Sequence, residues 1–143
     1  MNDPGYRVLV DGTASGDLLQ LDAPISLWGG LDPETGLIVD RSHPQFGSSM
    51  TGAIVAVPHG RGSSSSSSVL AEALRIGTGP AGFILTAPDS ILVIGSLVAG
   101  LLYGKSCPIV CGDLPDRSTG TWVIDHNRVQ PLPRPGSNSS FPG

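Results

Sequence analysis

Charged and aromatic side chains are scarce in this chain of 143 residues, at 14% and 5% of the sequence. A core must therefore be mainly aliphatic, and a hydrophobic content of 39% is sufficient for one domain of this size. Eight basic residues are outnumbered by twelve acidic ones and form no cluster. We therefore expect neither nucleic acid nor an anionic membrane surface as a partner.

Cysteine is also rare, since Cys107 and Cys111 are the two in the chain. Two cysteines do not make the disulfide framework of a small secreted domain. They would share one face of a strand, but no nearby histidine or third cysteine completes a metal site, so we interpret them as buried packing residues. The first residues contain no basic segment or apolar run, and we expect a cytoplasmic protein without a signal peptide.

An apolar stretch at residues 81–104 carries a single charge, Asp89, and is interrupted by Pro88-Asp89-Ser90. Its second half is too short to cross a hydrocarbon core of about 30 Å. The pattern instead predicts a buried strand at 83–86 and a helix at 89–102, capped by Asp89 or Ser90. We therefore expect no membrane span.

Alternation of strands and helices in the second half predicts a parallel sheet layer with helices packed on it. The first half consists of short strands, at 6–10 and 17–21, separated by loops. Residues 121–124 are predicted to form the last strand. The segment from Gln130 onward is rich in Pro, Gly and Ser. We therefore predict one domain, residues 1–129, followed by a disordered tail, residues 130–143.

The most informative motif is Gly60-Arg61-Gly62 followed by six serines, Ser63 to Ser68. It lies between a strand-like segment, 52–57, and a helix-like segment, 69–76, which is predicted to begin within the serine run and to end at Gly77. A strand, a glycine turn and a helix start bring free backbone N–H groups together and attract an anion or a serine alkoxide. The alternative is a flexible serine linker, but the flanking segments are apolar and the run lies mid-chain.

Other chemistries fit the sequence less well. The serine turn has no lysine of a phosphate-binding loop and no nucleophile-elbow pattern. A triad of Ser63, a histidine and an aspartate can be drawn, but such combinations arise by chance. His43 lies in a polar loop, and Asp32 before Pro33 is most simply a turn former. Arg61 is either a carboxylate or phosphate ligand or merely exposed.

Four segments together resemble the small subunit of aconitase X. The tryptophan-glycine-glycine loop followed by the glycine-serine turn is the most specific part of the pattern. The likeness covers most of residues 6–125. The segments are Ser26-Leu27-Trp28-Gly29-Gly30-Leu31-Asp32-Pro33-Glu34-Thr35-Gly36, Asp40-Arg41-Ser42-His43-Pro44, Gly60-Arg61-Gly62-Ser63-Ser64 and Ala99-Gly100.

The resemblance implies an α/β fold, a three-layer swivelling β/β/α domain as in domain 4 of aconitase. It implies Ser63 as the catalytic base, with Ser64, Arg61 and Gly62 at the substrate. Aconitase has an arginine after its two serines, whereas this chain has Ser65 there, so Arg61 is at most a replacement for that carboxylate contact. Further candidates for the functional site lie in the neighbouring loops: Trp28, Gly29, Gly30, Asp32 and His43.

The chemistry implied by the resemblance is the dehydration of a β-hydroxy acid. This reaction needs a base next to the carboxylate and an acid that assists the departing hydroxide. A serine at a helix N-terminus can supply the base, but no acid is evident in the sequence. The resemblance accordingly implies a heterodimer with a larger subunit that carries an iron or iron–sulfur centre, with no metal bound by this chain.

Two small hydroxy-acid substrates follow from the resemblance. Bacterial members dehydrate cis-3-hydroxy-L-proline to 1-pyrroline-2-carboxylate, and archaeal members dehydrate 5-phosphomevalonate. The cysteines, the serine-rich turn and the tail favour the bacterial substrate. An alternative of another class is a stand-alone anion-binding module without catalysis, which would bind carboxylate or phosphate on its own, whereas an enzyme subunit would need its partner.

Overall fold

The computed structural model of the chain describes residues 5–62, 64–115 and 120–132. The strands are β1 (Arg7–Val10), β2 (Thr13–Gln20), β3 (Ile54–Val57), β4 (Gly82–Leu85), β5 (Ile109–Cys111), β6 (Thr121–Asp125) and β7 (Arg128–Pro131). The helical segments are α1 (Leu27–Gly30), which is a single irregular turn, α2 (Ser65–Ile76) and α3 (Ser90–Tyr103).

The strands form one sheet in the order β1-β5-β4-β3-β2-β6-β7. β2, β3, β4 and β5 run parallel, whereas β1 and the pair β6-β7 are antiparallel to their neighbours. β2 belongs to both parts of the sheet, because residues 18–20 pair with β3 and residues 13–17 pair with β6. The shared strand lets the sheet curl, so that β6 and β7 cover one face of the parallel part.

Both faces of the parallel strands are buried. Along β3, Val55 and Val57 contribute to the core under the helices, whereas Ile54 and Ala56 face the second core with Ile124 of β6. Burial on both faces explains the continuous apolar sequence of this strand. The result is a layer of helices, a parallel layer and a smaller β layer, which confirms the predicted three-layer β/β/α fold.

Each long helix ends as its sequence predicts. α2 begins inside the serine run and stops at Gly77, which has a φ of 94°. α3 is capped by Asp89, whose side chain accepts hydrogen bonds from the N–H groups of Ile91 and Leu92.

α3 carries no charged residue and exposes Ile94, Leu97, Leu101 and Leu102. Within the described part of the chain, no helix combines the length and apolarity needed to cross a membrane.

The predicted start of the tail at Gln130 is wrong. Gln130 and Pro131 belong to β7, where they pair with Val123 and Trp122, and the N–H of Leu132 donates to the carbonyl of Thr121 at 2.8 Å. β7 lies at the edge of the sheet, where a proline is tolerated. Hence 121–124 is not the last strand either. The rest of the predicted tail, residues 133–143, lies outside the described residues.

Candidate functional site

An open depression of about 450 Å³ lies where the parallel strands β3 and β4 end. Ligands of open α/β sheets bind at this edge, in the crevice beyond the carboxyl ends of the strands. Two segments line the depression, one between β3 and α2 and the other between β4 and α3. They are His59, Gly60, Arg61 and Gly62, and Ala87, Pro88, Asp89, Ser90 and Ile91.

The two helices that start at this edge differ in whether a side chain bonds their first backbone N–H groups. The first N–H groups of α3 are bonded by the carboxylate of Asp89, at 2.9 and 3.0 Å. At the start of α2, Ser64 occupies the cap position, has a helical backbone and makes no side-chain cap bond. The α3 end is therefore already filled by an anion of the chain itself. Ser63 lies outside the described residues, between Gly62 and Ser64.

The glycine turn before α2 is held in place by backbone pairing with Ile25. The N–H of Arg61 donates to the carbonyl of Ile25 at 3.0 Å, and Ile25 forms a parallel bridge with Gly60. Gly62 has a φ of 102°, and a Cβ on it would overlap the hydroxyl of Ser26. Both its left-handed conformation and its contact with Ser26 therefore require glycine at this position.

The tryptophan-glycine-glycine loop lies against this turn. Trp28 and Gly29 have the dihedral angles of a type II turn, with φ, ψ of −68°, 112° and 81°, −11°. The Trp28 side chain is 63% exposed, and its backbone N–H donates to the Ser66 hydroxyl of α2 at 3.0 Å. Gly30 is buried against Ile25. The structure thus brings Trp28, Gly29 and Gly30 next to the start of α2.

Arg61 supplies positive charge beside this loop. The hydrogen bonds that Asp40 accepts from the hydroxyl and N–H of Ser42 lower the pKa of Asp40, and the charges of His43 and then Arg61 lower it further by smaller amounts. The side chain of Arg61 is exposed at the depression. This charge is therefore available to an anionic ligand.

Asp32 and His43 hold loops together. Asp32 Oδ1 accepts the N–H of Glu34 at 2.9 Å, which makes it the turn former that its position before Pro33 predicts. His43 is buried, its Nδ1 accepts the N–H of Gln45, and its Nε2 lies 3.0 Å from the carbonyl of Ala23. Because both ring nitrogens are bonded to backbone, the imidazole fits a loop brace better than a base.

The cysteines are free thiols. Cys107 is buried, and burial raises the pKa of its thiol to about 12. Cys111 ends β5 and is partly buried. Among the described residues, no group of three or more His, Cys, Asp or Glu side chains is placed to hold a metal ion. The described residues therefore do not fit an iron centre.

Residues 5–129 match the sequence model of the aconitase X swivel domain. The chain belongs to this family. A crystal structure of aconitase X from Thermococcus kodakaraensis, in its holo-form, has the same fold, with a TM-score of 0.78 and 28% identity. The alignment covers 92% of this chain and 100% of that one.

Two curated relatives differ in length from one another. Cis-3-hydroxy-L-proline dehydratase of Pseudomonas aeruginosa is 47% identical over 105 residues, which are 73% of this chain and 18% of that protein. The small subunit of phosphomevalonate dehydratase from Pyrococcus furiosus is 37% identical over 124 residues, which are 85% of this chain and 88% of that protein. The swivel domain therefore spans less than a fifth of the first relative and most of the second.

Sequence reasoning missed Ser26 and Ser66 of this swivel domain. Ser26 touches Gly62, and Ser66 accepts the N–H of Trp28. The one signal for Ser66 is helical periodicity, because it lies four residues before the buried Leu70 and on the same face of α2. No local pattern marks Ser26, since its contact joins segments 36 residues apart.

Proposed function

We propose that this swivel domain is the small part of an aconitase X-type dehydratase that removes water from cis-3-hydroxy-L-proline, and that Ser63 is its base. The observation that carries the substrate choice is the higher identity to the Pseudomonas enzyme than to the Pyrococcus subunit. The depression supports the site, because it is lined by the glycine turn that directly precedes Ser63.

The position of Ser63 in the chain supports its role as base. It follows Gly62 directly and precedes the α2 cap position at Ser64. The positive end of the helix dipole favours an anion there, and a serine alkoxide is such an anion. The α3 start offers no equivalent place, because the carboxylate of Asp89 fills it.

In the proposed reaction, the Ser63 alkoxide takes the proton from Cα of the substrate. The electron pair of that C–H bond forms the Cα=Cβ bond, while the Cβ–O bond breaks and hydroxide leaves. The product is an enamine, which tautomerises to 1-pyrroline-2-carboxylate. Proton abstraction is the step assigned to this chain, and assistance to the leaving hydroxide is assigned to the larger partner.

Arg61, Gly62 and Ser64 are the proposed contacts to the substrate. Arg61 brings an exposed guanidinium to the depression and can pair with the substrate carboxylate. Gly62 lets the backbone approach closely, and the hydroxyl of Ser64, which makes no cap bond to α2, is proposed to hydrogen-bond the substrate. The exposed Trp28 on its type II turn is proposed to close the site against water.

The larger aconitase X subunit is the proposed partner, and the iron or iron–sulfur centre is assigned to it. A swivel domain that spans 18% of the Pseudomonas enzyme leaves most of that protein to other parts. We therefore expect the purified chain to be folded but inactive, and to gain dehydratase activity when the larger subunit is added.

The test is to offer both family substrates to the chain with and without the larger subunit. Turnover of cis-3-hydroxy-L-proline by the reconstituted pair, and by neither part alone, is the expected result. Turnover of 5-phosphomevalonate but not of hydroxyproline would overturn the choice of substrate and leave the dehydratase assignment intact. The match to the Pyrococcus small subunit makes 5-phosphomevalonate the second candidate substrate. Turnover of neither, with carboxylate or phosphate binding by the chain alone, would favour an anion-binding module.

A further inference from the structure

Ser66 stands apart from the other described serines of the run because its side chain is buried, at 2% exposure. It lies in the first turn of α2, and its hydroxyl oxygen accepts the N–H of Trp28 at 3.0 Å. The hydroxyl of Ser26 donates to the carbonyl of Trp28 at 3.2 Å. Both backbone groups of Trp28 are thus held by serine side chains.

These contacts extend to the turn before the helix. Ser26 lies against Gly62, since a Cβ on Gly62 would be 2.9 Å from the Ser26 Cβ and 3.7 Å from the Ser66 hydroxyl oxygen. The loop with Trp28, the glycine turn and the first turn of α2 therefore share one small contact region. A shift of the loop relative to α2 must break the bond between Trp28 and Ser66.

We propose that Ser66 is a positioning residue, which sets the Trp28–Gly29 turn against the start of α2. In this role it touches neither substrate nor reacting atoms, and it acts through the Trp28 backbone. The catalytic part of this inference rests on the proposed function, in which the Trp28 loop closes the site against water. The structural part concerns this chain alone.

Removing the hydroxyl leaves the Trp28 N–H without its acceptor. Of the two side-chain bonds to the Trp28 backbone, the type II turn then keeps only the one from Ser26, and the loop opens more often. Ser68 is the matched control, because it lies in the same serine run and is exposed. Ser66→Thr is the conservative variant, because it keeps the hydroxyl oxygen.

The first test is amide hydrogen exchange of the full chain by NMR. Exchange of the Trp28 N–H should be about tenfold faster in Ser66→Ala, the size of one lost hydrogen bond. Ser68→Ala should leave it unchanged, and Ser66→Thr should restore most of the protection. Amides of the central strands, such as Val55 and Ile84, are compared in the same samples, and in Ser66→Ala they should accelerate no more than Trp28 does.

An unchanged Trp28 exchange rate in Ser66→Ala would overturn the proposal. So would a larger acceleration at Val55 and Ile84 than at Trp28, because that result means a general loss of packing rather than release of one loop. If Ser66→Ala fails to fold, Ser26→Ala, which frees the Trp28 carbonyl, serves instead, and the same two outcomes would overturn the pairing.

The second test uses the reconstituted dehydratase. Ser66→Ala should lower kcat about tenfold with a smaller change in KM, and Ser66→Thr should recover most of the loss. Unchanged kcat alongside faster Trp28 exchange would refute the positioning role. Failure of the proposed function is recognised separately, because the wild-type pair would then turn over no hydroxy acid. In that case the exchange rates still show whether Ser66 holds the Trp28 turn.

Discussion

Asp89 Oδ2 occupies the space in which a side chain on Gly60 would begin, since a Cβ on Gly60 would lie 2.7 Å from it. The Oδ1 atom of the same carboxylate caps α3 through the N–H groups of Ile91 and Leu92. One carboxylate therefore links the turn after β3 to the helix after β4. These are the two segments that line the depression.

Gly60→Ala should destabilise the fold by about 1–2 kcal/mol, comparable to losing a helix cap. Gly60 does not have a positive φ, so the effect comes from displacing Asp89 rather than from backbone strain. Asp89→Ala should cost about 1 kcal/mol by removing the cap itself. Urea unfolding followed by circular dichroism gives both values.

The double variant Gly60→Ala/Asp89→Ala shows whether the two substitutions destabilise the fold through the same contact or independently. Once Asp89 is truncated, the added methyl group on residue 60 meets no carboxylate. The two substitutions together should therefore cost less than the sum of the single costs, by at least about 0.5 kcal/mol. Additive costs would show that Gly60 and Asp89 act independently.

Gly29 tests the type II turn of the Trp28 loop. Its φ is 81°, and a Cβ there would meet no atom within 4 Å, so the backbone conformation alone penalises a side chain. Gly29→Ala should cost about 1–2 kcal/mol, and Gly29→Asn should cost less because asparagine tolerates this conformation. Equal costs in thermal or urea unfolding would mean that the turn relaxes to another form.

His126 and Asp11 form an exposed pair, with Nδ1 and Oδ1 2.7 Å apart. The hydrogen bond with Asp11 raises the pKa of His126 above its ordinary value and lowers the pKa of Asp11. An NMR titration of the His126 ring should show the elevation, and Asp11→Asn should reduce it. A His126 pKa that is the same in both proteins would contradict the pairing.

The same pair should make a small, pH-dependent contribution to stability. Because the pKa of His126 is raised, its contribution is present below the ordinary value of 6.5 and is lost as the pH rises through the folded pKa. Because the pKa of Asp11 is lowered, its contribution is present above 3.8 and is lost as the pH falls through the folded pKa.

His126→Asn should therefore lower Tm most near pH 5, with the difference from wild type disappearing above the folded pKa of His126. Asparagine suits the positive φ of 59° at this position, so the substitution adds little backbone strain. A Tm difference that stays constant from pH 5 to pH 9 would show that the variant acts through something other than this ion pair.

Truncation distinguishes β7 from the residues after it. Ending the chain after Arg128 removes Val129, which packs in the second core, and most of the pairing with β6. This variant should unfold at lower urea concentration, whereas ending the chain after Leu132 should leave the unfolding midpoint unchanged. Equal midpoints would mean that β7 adds no stability, and a loss after Leu132 would refute a dispensable tail.

Local sequence patterns predicted the βα units well. Asp89 as a cap, Gly77 as the end of α2 and a helix start within the serine run each depend on neighbouring residues, and the structure has all three. Such features follow from backbone groups within one or two turns, which a sequence pattern captures.

The missed parts depend on distant pairing. Residues 13–16 look like a turn, but they extend β2 because β6 supplies hydrogen-bond partners. Gly16 lies where the chain passes the carbonyl of Gly52, with no room for a Cβ. Packing therefore requires glycine at this position, although glycine has a low strand propensity. The same holds for the site, where the contact between Trp28 and Ser66 joins segments 38 residues apart.

The central claim is that Ser63 is the base of a dehydratase, and kcat of the Ser63→Ala variant tests it most directly. The variant is assembled with the larger subunit and assayed with cis-3-hydroxy-L-proline, with Ser68→Ala as the control. Loss of a general base predicts a fall in kcat of about 10³-fold, with folding and assembly intact, and no change in the control. Near wild-type kcat in Ser63→Ala would contradict the assignment.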